Sequence, residues 1–369
     1  MSSGNTNNSS EDPGLRKTIK KDLKEGDFYK TIHRDFKEIK EFYITPEKKK
    51  RLSEMKSIKR GFFLVWWILK SMILKLTPVR RILLLIGIVL SFGAVTFSNS
   101  DNDTNSRMEF NVIGGGLILL VLMLELKDKL LARDELEAGR KVQSALQPKE
   151  SPEFEGWSLW LYTCPANEVC GDLVDFINID KERGALVMAD VAGKGLNAAL
   201  LTAKLQATVR AYVEESEPIE LVSKVNNIFF RDSLRNIFAS LLLMEINRNS
   251  DELIFVNAGH LPPVILNDEG LKEIPKGETA LGLVKDMKYT LHQQSMKSGD
   301  VLIAYSDGVT EARNDAGSFF GLEKFLNLLR TLKHLSAKEI GASIISEIDK
   351  FAGDTRANDD ISLIIIKRT

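Results

Sequence analysis

The stretch GALVMADVAGKG, residues 184–195, carries the pattern from which the fold of this chain is argued. Residues 185–189 form an apolar run of strand length that ends at Asp190, and two glycines flank Lys194 directly before an alanine-rich segment. A short apolar run bounded by turn residues predicts a buried strand, and residues 197–214 predict a helix. We therefore expect Asp190 at a strand end that faces a loop and a helix.

Other acidic residues also stand at the ends of apolar runs. They are Asp172 and Asp175 in VCGDLVDF (169–176), Asp307 after the run 301–305, and Asp359 and Asp360 before the run 361–366. One Asp before a glycine or a helix is ordinary turn or cap chemistry. Several carboxylates at one sheet edge repel one another unless a cation neutralises them. Oxygen ligands without His or thiolate suit Mg²⁺ or Mn²⁺ better than Zn²⁺, so the pattern predicts a hard divalent cation.

Short apolar runs and longer helical stretches make up the chain from residue 149 onward. The predicted strands are 157–162, 184–188, 240–246, 253–256, 301–304 and 361–366, and the predicted helices are 197–214, 322–332 and 337–351. This order predicts an α+β domain over residues 149–369, in which helices pack over antiparallel sheets.

Five ordered motifs carry a resemblance to a known family. They are GDLVDF (171–176), DVAGKG (190–195), NAGHLPP (257–263), SDGVTE (306–311) and DDIS (359–362). Together they resemble the bacterial SpoIIE/RsbU branch of the PPM-type (type 2C-like) metal-dependent serine/threonine protein phosphatases. Five motifs in order are far more specific than one Asp-Gly pair. The resemblance begins near Leu136 and implies a PPM-type layered β-sandwich flanked by helices, with two divalent cations, Mn²⁺ or Mg²⁺, at one edge.

The resemblance assigns roles to the matching residues. Asp190 resembles the carboxylate that bridges both ions, with the Val191 carbonyl as a further ligand. Asp307 and Asp359 resemble ligands of the first ion, and Asp172 resembles the acidic residue that serves the second. Asp190, Asp307 and Asp172 are thus the expected catalytic set.

Four residues are weaker candidates. Asp360 and Asp175 are either supportive or structural. Lys194 either contacts substrate phosphate with help from a helix N-terminus or lies in a solvated loop. His260 is either a general acid or, as its NAGHLPP context favours, part of a turn between strands.

The implied activity is hydrolysis of phosphoserine or phosphothreonine in a protein by a metal-activated water. The family implies a phosphorylated anti-sigma-factor antagonist of the STAS type as the substrate, in bacterial signalling. The alternatives are an inactive membrane receptor or scaffold with a phosphatase-like domain, and a hydrolase of small phosphoesters. Retention of the four principal aspartates favours the enzyme.

Composition excludes several classes of protein. The chain has 369 residues, 44% of them hydrophobic, and two cysteines, so it is neither a disulfide-stapled scaffold nor a disordered chain. The formal charge of −1 gives no sign of a nucleic-acid partner. That charge is unevenly distributed. Residues 1–81 hold 20 Lys and Arg against 10 Asp and Glu, which is a net charge of +10, and the remainder of the chain has a net charge of −11. The asymmetry suggests a basic cytoplasmic segment, residues 1–60, near an anionic surface.

Two apolar runs, residues 82–98 and 108–126, predict a transmembrane helical hairpin over 82–126. Basic flanks place both termini in the cytoplasm, so the sequence predicts a multi-pass protein of the cell inner membrane with a cytoplasmic catalytic domain. Residues 61–81 contain two tryptophans and two lysines and predict an amphipathic helix that lies on membrane lipid. Residues 127–148 predict a helical linker, and its apolar positions leave homodimerisation possible.

Overall fold

The computed structural model describes residues 39–40, 43–92, 110–232, 237–353 and 359–369. The chain divides into two compact units, residues 1–128 and 129–369. The described helices are α1 (Pro46–Ser53), α2 (Ser57–Lys75), α3 (Pro78–Phe92), α4 (Phe110–Leu146), α5 (Leu196–Tyr212), α6 (Pro218–Asp232), α7 (Asp307–Glu311), α8 (Leu322–Leu329) and α9 (Ala337–Ala352).

The strands all belong to the second unit and form two antiparallel sheets. They are β1 (Glu153–Phe154), β2 (Trp157–Cys164), β3 (Asp172–Asn178), β4 (Arg183–Val191), β5 (Ala239–Asn247), β6 (Glu252–Ala258), β7 (Val264–Asn267), β8 (Gly270–Glu273), β9 (His292–Ser295), β10 (Val301–Tyr305) and β11 (Ile361–Arg368). One sheet has the order β1-β2-β11-β10-β7-β8 and the other has the order β3-β4-β5-β6-β9.

The alternation of side chains along each strand gives both sheets two buried faces. Between the sheets, Leu186 and Met188 of β4 pack with Leu242 of β5 and Ile364 of β11. The opposite faces are covered by helices, α5 and α6 on one sheet and α8 and α9 on the other. The layers are therefore helix, sheet, sheet, helix, and the predicted α+β sandwich is confirmed.

The prediction of a membrane-spanning hairpin is wrong. Among the described residues, no helix combines the length and the apolar character needed to cross a bilayer. Glu125 lies at the end of the second run and Asp128 just after it, and both carboxylates form ion pairs with Arg80, at 2.8 and 2.7 Å. Residues 93–109 lie outside the described part of the chain.

The predicted multi-pass inner-membrane location falls with the hairpin. The single helix predicted over 61–81 is also two helices, since α2 ends at Lys75 and α3 begins at Pro78. Proline lacks an amide proton and fits the first turn of a helix better than its interior. The predicted helical linker is part of α4, which ends at Leu146. The predicted domain boundaries remain predictions.

Glu245 on β5 is an acid inside the second unit, with 5% of its surface exposed. Its Oε1 makes no hydrogen bond with the described residues. Burial raises the pKa of Glu245 to about 7, although the positive charge of Arg183 opposes the shift. The ionised carboxylate is thus disfavoured in the folded state.

We expect Glu245→Gln to flatten the pH dependence of stability between pH 4.5 and 7. Because the pKa is higher in the folded than in the unfolded chain, the folded state binds more protons in this window, and stability falls as pH rises. The loss of folding stability caused by ionisation of Glu245 should amount to about 1–2 kcal/mol after allowance for solvent screening. Urea unfolding of wild type and Glu245→Gln at pH 5 and pH 8 measures it, and equal pH slopes for the two proteins would refute it.

Candidate active site

Three predicted ligands lie where strands of both sheets end. Asp190 is near the end of β4, and Asp307 follows β10 after Ser306. Asp359 precedes β11, which pairs with β10 from Tyr305↔Leu363 onward. The amide of Ser306 donates to the Ser362 carbonyl at 3.0 Å and continues this contact beyond the ladder. The strand pairing therefore brings Asp307 close to Asp359.

The electrostatics of these carboxylates shows that they act on one another. Burial and the nearby charges of Asp307 and Asp359 raise the pKa of Asp190 to about 6. Burial and the charges of Asp359 and Glu311 also raise the pKa of Asp307. Each group is harder to ionise because its neighbours are negative, which is the condition that a bound cation relieves.

Gly308 allows the two strand ends to approach closely. A Cβ atom at this position would overlap the backbone carbonyl of Asp360. A larger residue would therefore push the Asp307 turn away from the Asp359-Asp360 pair. The close approach of the two strand ends therefore requires glycine directly after Asp307.

Asp172 lies on β3 directly opposite Asp190 on β4 and is 7% exposed. Burial raises the pKa of Asp172 well above its ordinary value, and the charges of Asp190 and Asp360 act in the same direction, against the hydroxyls of Ser362 and Ser306. Its Oδ2 has no hydrogen-bond partner among the described residues. The structure thus places Asp172 beside the carboxylate cluster, but its side chain is buried beneath the protein surface.

Asp360 holds a loop in place. Its two carboxylate oxygens accept from the amides of Ala166 and Gly171 at 2.8 and 2.7 Å. Both bonds fix residues 165–171 immediately before β3. Of the two roles predicted for Asp360, this geometry favours the structural one.

Asp175 is 1% exposed and is paired with helix α5. Arg210 binds its carboxylate through two nitrogens, at 2.7 and 2.8 Å, and Gln206 donates to it at 3.0 Å. Gln206 and Arg210 also donate to the Leu146 carbonyl at the end of α4, at 3.0 and 3.1 Å. Asp175 therefore anchors α5, whose Gln206 and Arg210 also hold the end of α4, and it stands outside the carboxylate cluster.

The two basic candidates differ in exposure. Lys194 is exposed, and its Nζ lies 3.0 Å from Asp359 Oδ2. His260 is buried, and its Nδ1 lies 2.9 Å from Ser240 Oγ. Burial lowers the pKa of His260 to about 4, so the ring is neutral at pH 7 and is a poor general acid.

The donor chemistry of the cluster suits a hard divalent cation, because carboxylates that repel one another share one edge. Within the part of the chain that the structure describes, no three His, Cys, Asp or Glu side chains form a ready-made metal-binding group. The fit therefore rests on the type and mutual repulsion of the oxygen donors.

A cleft of about 510 Å³ adjoins Asp190 and Asp307. Its other lining residues include Leu261 of the NAGHLPP motif, and Phe238 and Lys276, which lie outside the sequence motifs. Three serines lie near the cluster, Ser240, Ser306 and Ser362, and none of them was assigned a role from the sequence. Ser306 and Ser362 belong to the motifs SDGVTE and DDIS, but Ser240 lies in no motif and is recognisable only through the β4–β5 register.

Comparison with known proteins identifies the family. The family model for stage II sporulation protein E (SpoIIE) matches residues 180–369. Protein IcfG of Synechocystis is 27% identical over 315 residues, covering 76% of this chain and 49% of IcfG. Phosphoserine phosphatase RsbU of Bacillus subtilis is 26% identical over 239 residues, covering 64% of this chain and 70% of RsbU. The chain thus spans about half the length of the first of these relatives.

Two solved structures share the fold. The SiaA-PP2C domain of Pseudomonas aeruginosa has a TM-score of 0.56 at 18% identity, covering 65% of this chain and 98% of that domain. The structure of the RsbU and RsbW domains of a Mycobacterium tuberculosis protein has a TM-score of 0.51 at 22% identity, covering 59% of this chain and 62% of that chain. The sandwich is therefore of the PP2C type. With the matched family model, this confirms the resemblance carried by the five motifs, and the chain belongs to the SpoIIE family.

Proposed function

We propose that this chain is a divalent-metal-dependent serine/threonine protein phosphatase. The observation that carries the proposal is the convergence of Asp190, Asp307 and Asp359 at one edge, where the charges of Asp307 and Asp359 help to raise the pKa of Asp190, and the charge of Asp359 that of Asp307. RsbU and RsbP, both called phosphoserine phosphatases, are relatives at 26% and 25% identity. A structural scaffold has no need of mutually repelling carboxylates beside an open cleft.

The carboxylates of Asp190, Asp307 and Asp359, with Asp172 behind them, are the residues that would hold the cations, Mn²⁺ or Mg²⁺. Bound divalent cations supply an activated water and neutralise charge on the phosphoryl oxygens. The chain's own part is to fix the carboxylates at the strand ends and to admit a phosphorylated side chain through the cleft. Phe238 and Leu261 offer apolar contact there, and Lys276 offers positive charge.

Lys194 would contribute to phosphate binding in this scheme. Its ammonium group lies 3.0 Å from Asp359, within reach of the cluster, and divalent cations on Asp359 would compete for the same carboxylate. A flexible lysine can turn from a carboxylate to a phosphate without loss of charge pairing. Lys194 therefore suits a role in holding the substrate rather than in activating water.

We expect Lys194→Met to raise KM for a phosphoprotein about tenfold and to change kcat less than threefold, because one charge-assisted contact is lost on binding. Steady-state kinetics at saturating Mn²⁺ measures both constants. Lys285→Met, at an exposed lysine paired with Asp286, is the control. A fall in kcat with unchanged KM would contradict a role in binding.

The proposed substrate is a phosphorylated protein in bacterial signalling, of the type that a STAS-domain anti-sigma-factor antagonist represents. Its support is the family and the names of RsbU and RsbP, together with an open cleft that leaves room for a protein chain. A hydrolase of small phosphoesters would be expected to enclose its substrate more fully.

The proposal is tested with the full chain, Mn²⁺, and a phosphoserine-bearing STAS protein beside a free phosphoserine substrate. We expect at least a hundredfold preference in kcat/KM for the protein. Asp307→Asn should lose turnover of both substrates, whereas Asp268→Asn, in an exposed turn, should retain it. Equal activity of Asp307→Asn and wild type would exclude the carboxylate cluster as the catalytic centre.

A further inference from the structure

Ser240 and His260 form a hydrogen-bonded pair behind Asp190, although neither is a candidate metal ligand. Ser240 lies opposite Asp190 in the β4–β5 ladder, and its Oγ accepts from the Asp190 amide at 3.3 Å. The same oxygen lies 2.9 Å from His260 Nδ1. Because the ring is neutral, Nδ1 can accept the serine proton and leave the oxygen lone pairs to the Asp190 amide.

The backbone around His260 holds the ring firmly. Asn257 is fully buried, its Oδ1 accepts from the His260 amide at 2.8 Å, and its Nδ2 donates to the His260 carbonyl at 3.2 Å. Gly259 has a φ of 74°, and a Cβ there would lie 2.7 Å from the Ala280 nitrogen. The NAGH sequence therefore fixes the imidazole against Ser240.

The segment 190–192 is held at three successive amides. Besides the Asp190 contact, the Val191 amide donates to the Gly171 carbonyl at 3.4 Å and the Ala192 amide donates to the Phe238 carbonyl at 2.8 Å. Ser240 supplies the one side-chain contact among these three. The loss of its hydroxyl would therefore loosen the segment at Asp190 itself.

The His260 ring also lies near β10. The Tyr305 carbonyl favours the protonated ring, against the stronger effect of burial, although Nε2 completes no hydrogen bond of ordinary geometry with the described residues. Tyr305 is separated from Asp307 by a single residue. The ring thus stands between β5, which carries Ser240, and β10, which leads to Asp307.

We propose that Ser240 and His260 are a positioning pair, which acts through the Asp190 amide to fix the direction in which the Asp190 carboxylate and the Val191 carbonyl face the candidate metal site. The proposal rests on the proposed function. Partners that orient a metal ligand commonly change metal affinity by about 10–100-fold when they are removed.

The test is Mn²⁺ binding to the full chain without substrate, followed by the electron paramagnetic resonance signal of free Mn²⁺. We expect Ser240→Ala and His260→Ala each to weaken binding about tenfold. The double variant should bind no more weakly than the weaker single variant, because the two residues act as one unit. Ser240→Thr keeps a hydroxyl and should bind as wild type does, as should the exposed Ser318→Ala.

Three results would each overturn the positioning role of the pair. They are an unchanged Mn²⁺ affinity in Ser240→Ala, additive losses of affinity in the double variant, and a Ser240→Thr variant that binds Mn²⁺ as weakly as Ser240→Ala. The two serine variants decide the matter even if His260→Ala fails to fold. Asp190→Asn separates the two proposals. If Asp190→Asn binds Mn²⁺ as wild type does, the proposed function fails. If Asp190→Asn loses Mn²⁺ binding but Ser240→Ala binds normally, only the positioning role of the pair is refuted.

Discussion

Asp190→Asn should lower kcat for phosphoprotein hydrolysis about 10³-fold, equivalent to roughly 4 kcal/mol of transition-state stabilisation. The amide keeps the size of the side chain and removes the charge that would hold both cations. Steady-state phosphate release at saturating Mn²⁺ measures the loss, with Asp268→Asn as the control for an exposed aspartate.

The same substitution should make the protein more stable in EDTA at pH 7. Burial and its acidic neighbours raise the pKa of Asp190 to about 6, so the charge is unfavourable in the folded chain above that pH. Asn removes the repulsion, and the thermal midpoint should rise by a few degrees. Loss of activity together with loss of stability would indicate damage to the fold instead.

Arg210→Ala should lower the free energy of unfolding by about 3 kcal/mol, because it leaves the fully buried Asp175 carboxylate without its bidentate partner. It also removes a donor to the Leu146 carbonyl. Urea unfolding of the full chain, followed by circular dichroism, gives the value. Arg231→Ala removes an exposed arginine whose partner is Asp232, and it should change stability by less than about 0.5 kcal/mol.

A smaller loss for Arg210→Met than for Arg210→Ala would show that the arginine stem contributes by packing. An equal effect of Arg210→Ala and Arg231→Ala would show that the buried pair adds nothing to stability. In that case Asp175 would have another role.

The positions of the candidate site follow from short-range patterns. Asp190 and Asp307 each follow an apolar run, and Asp359 precedes one, so strand geometry alone predicts that they occupy sheet ends. Their meeting at one edge needs the pairing of β10 with β11 and the packing of two sheets, which a single sequence does not encode locally. The family motifs supplied that information.

Elements with mixed signals were missed. Strand β3 holds two aspartates in seven residues, which strand propensity disfavours, and it forms because Arg210 and the cluster edge accommodate them. Helix α6 is a different case, since Leu221, Val225 and Phe229 recur at helical spacing and the sequence does carry its signal. Ser240 and His260 are 20 residues apart, and only the fold brings them together.

The hairpin was predicted from the lengths of two apolar runs. The window rule considers the length and polarity of a run of sequence and not the helix that forms from it. Among the described residues, no helix has the length and apolar character that a bilayer span needs, and α3 begins at Pro78, before the predicted span. Glu125, at the end of the second run, and Asp128, just after it, pair with Arg80 within the first unit.

The central claim is that the carboxylate edge works with divalent cations as a phosphatase centre. The most direct measurement is phosphate release from a phosphoserine protein by the full chain as Mn²⁺ is titrated into EDTA-treated enzyme. A saturable rise from no detectable turnover, absent in Asp190→Asn, is the predicted result. Turnover that is independent of Mn²⁺, or none at any Mn²⁺ or Mg²⁺ concentration, would contradict the claim.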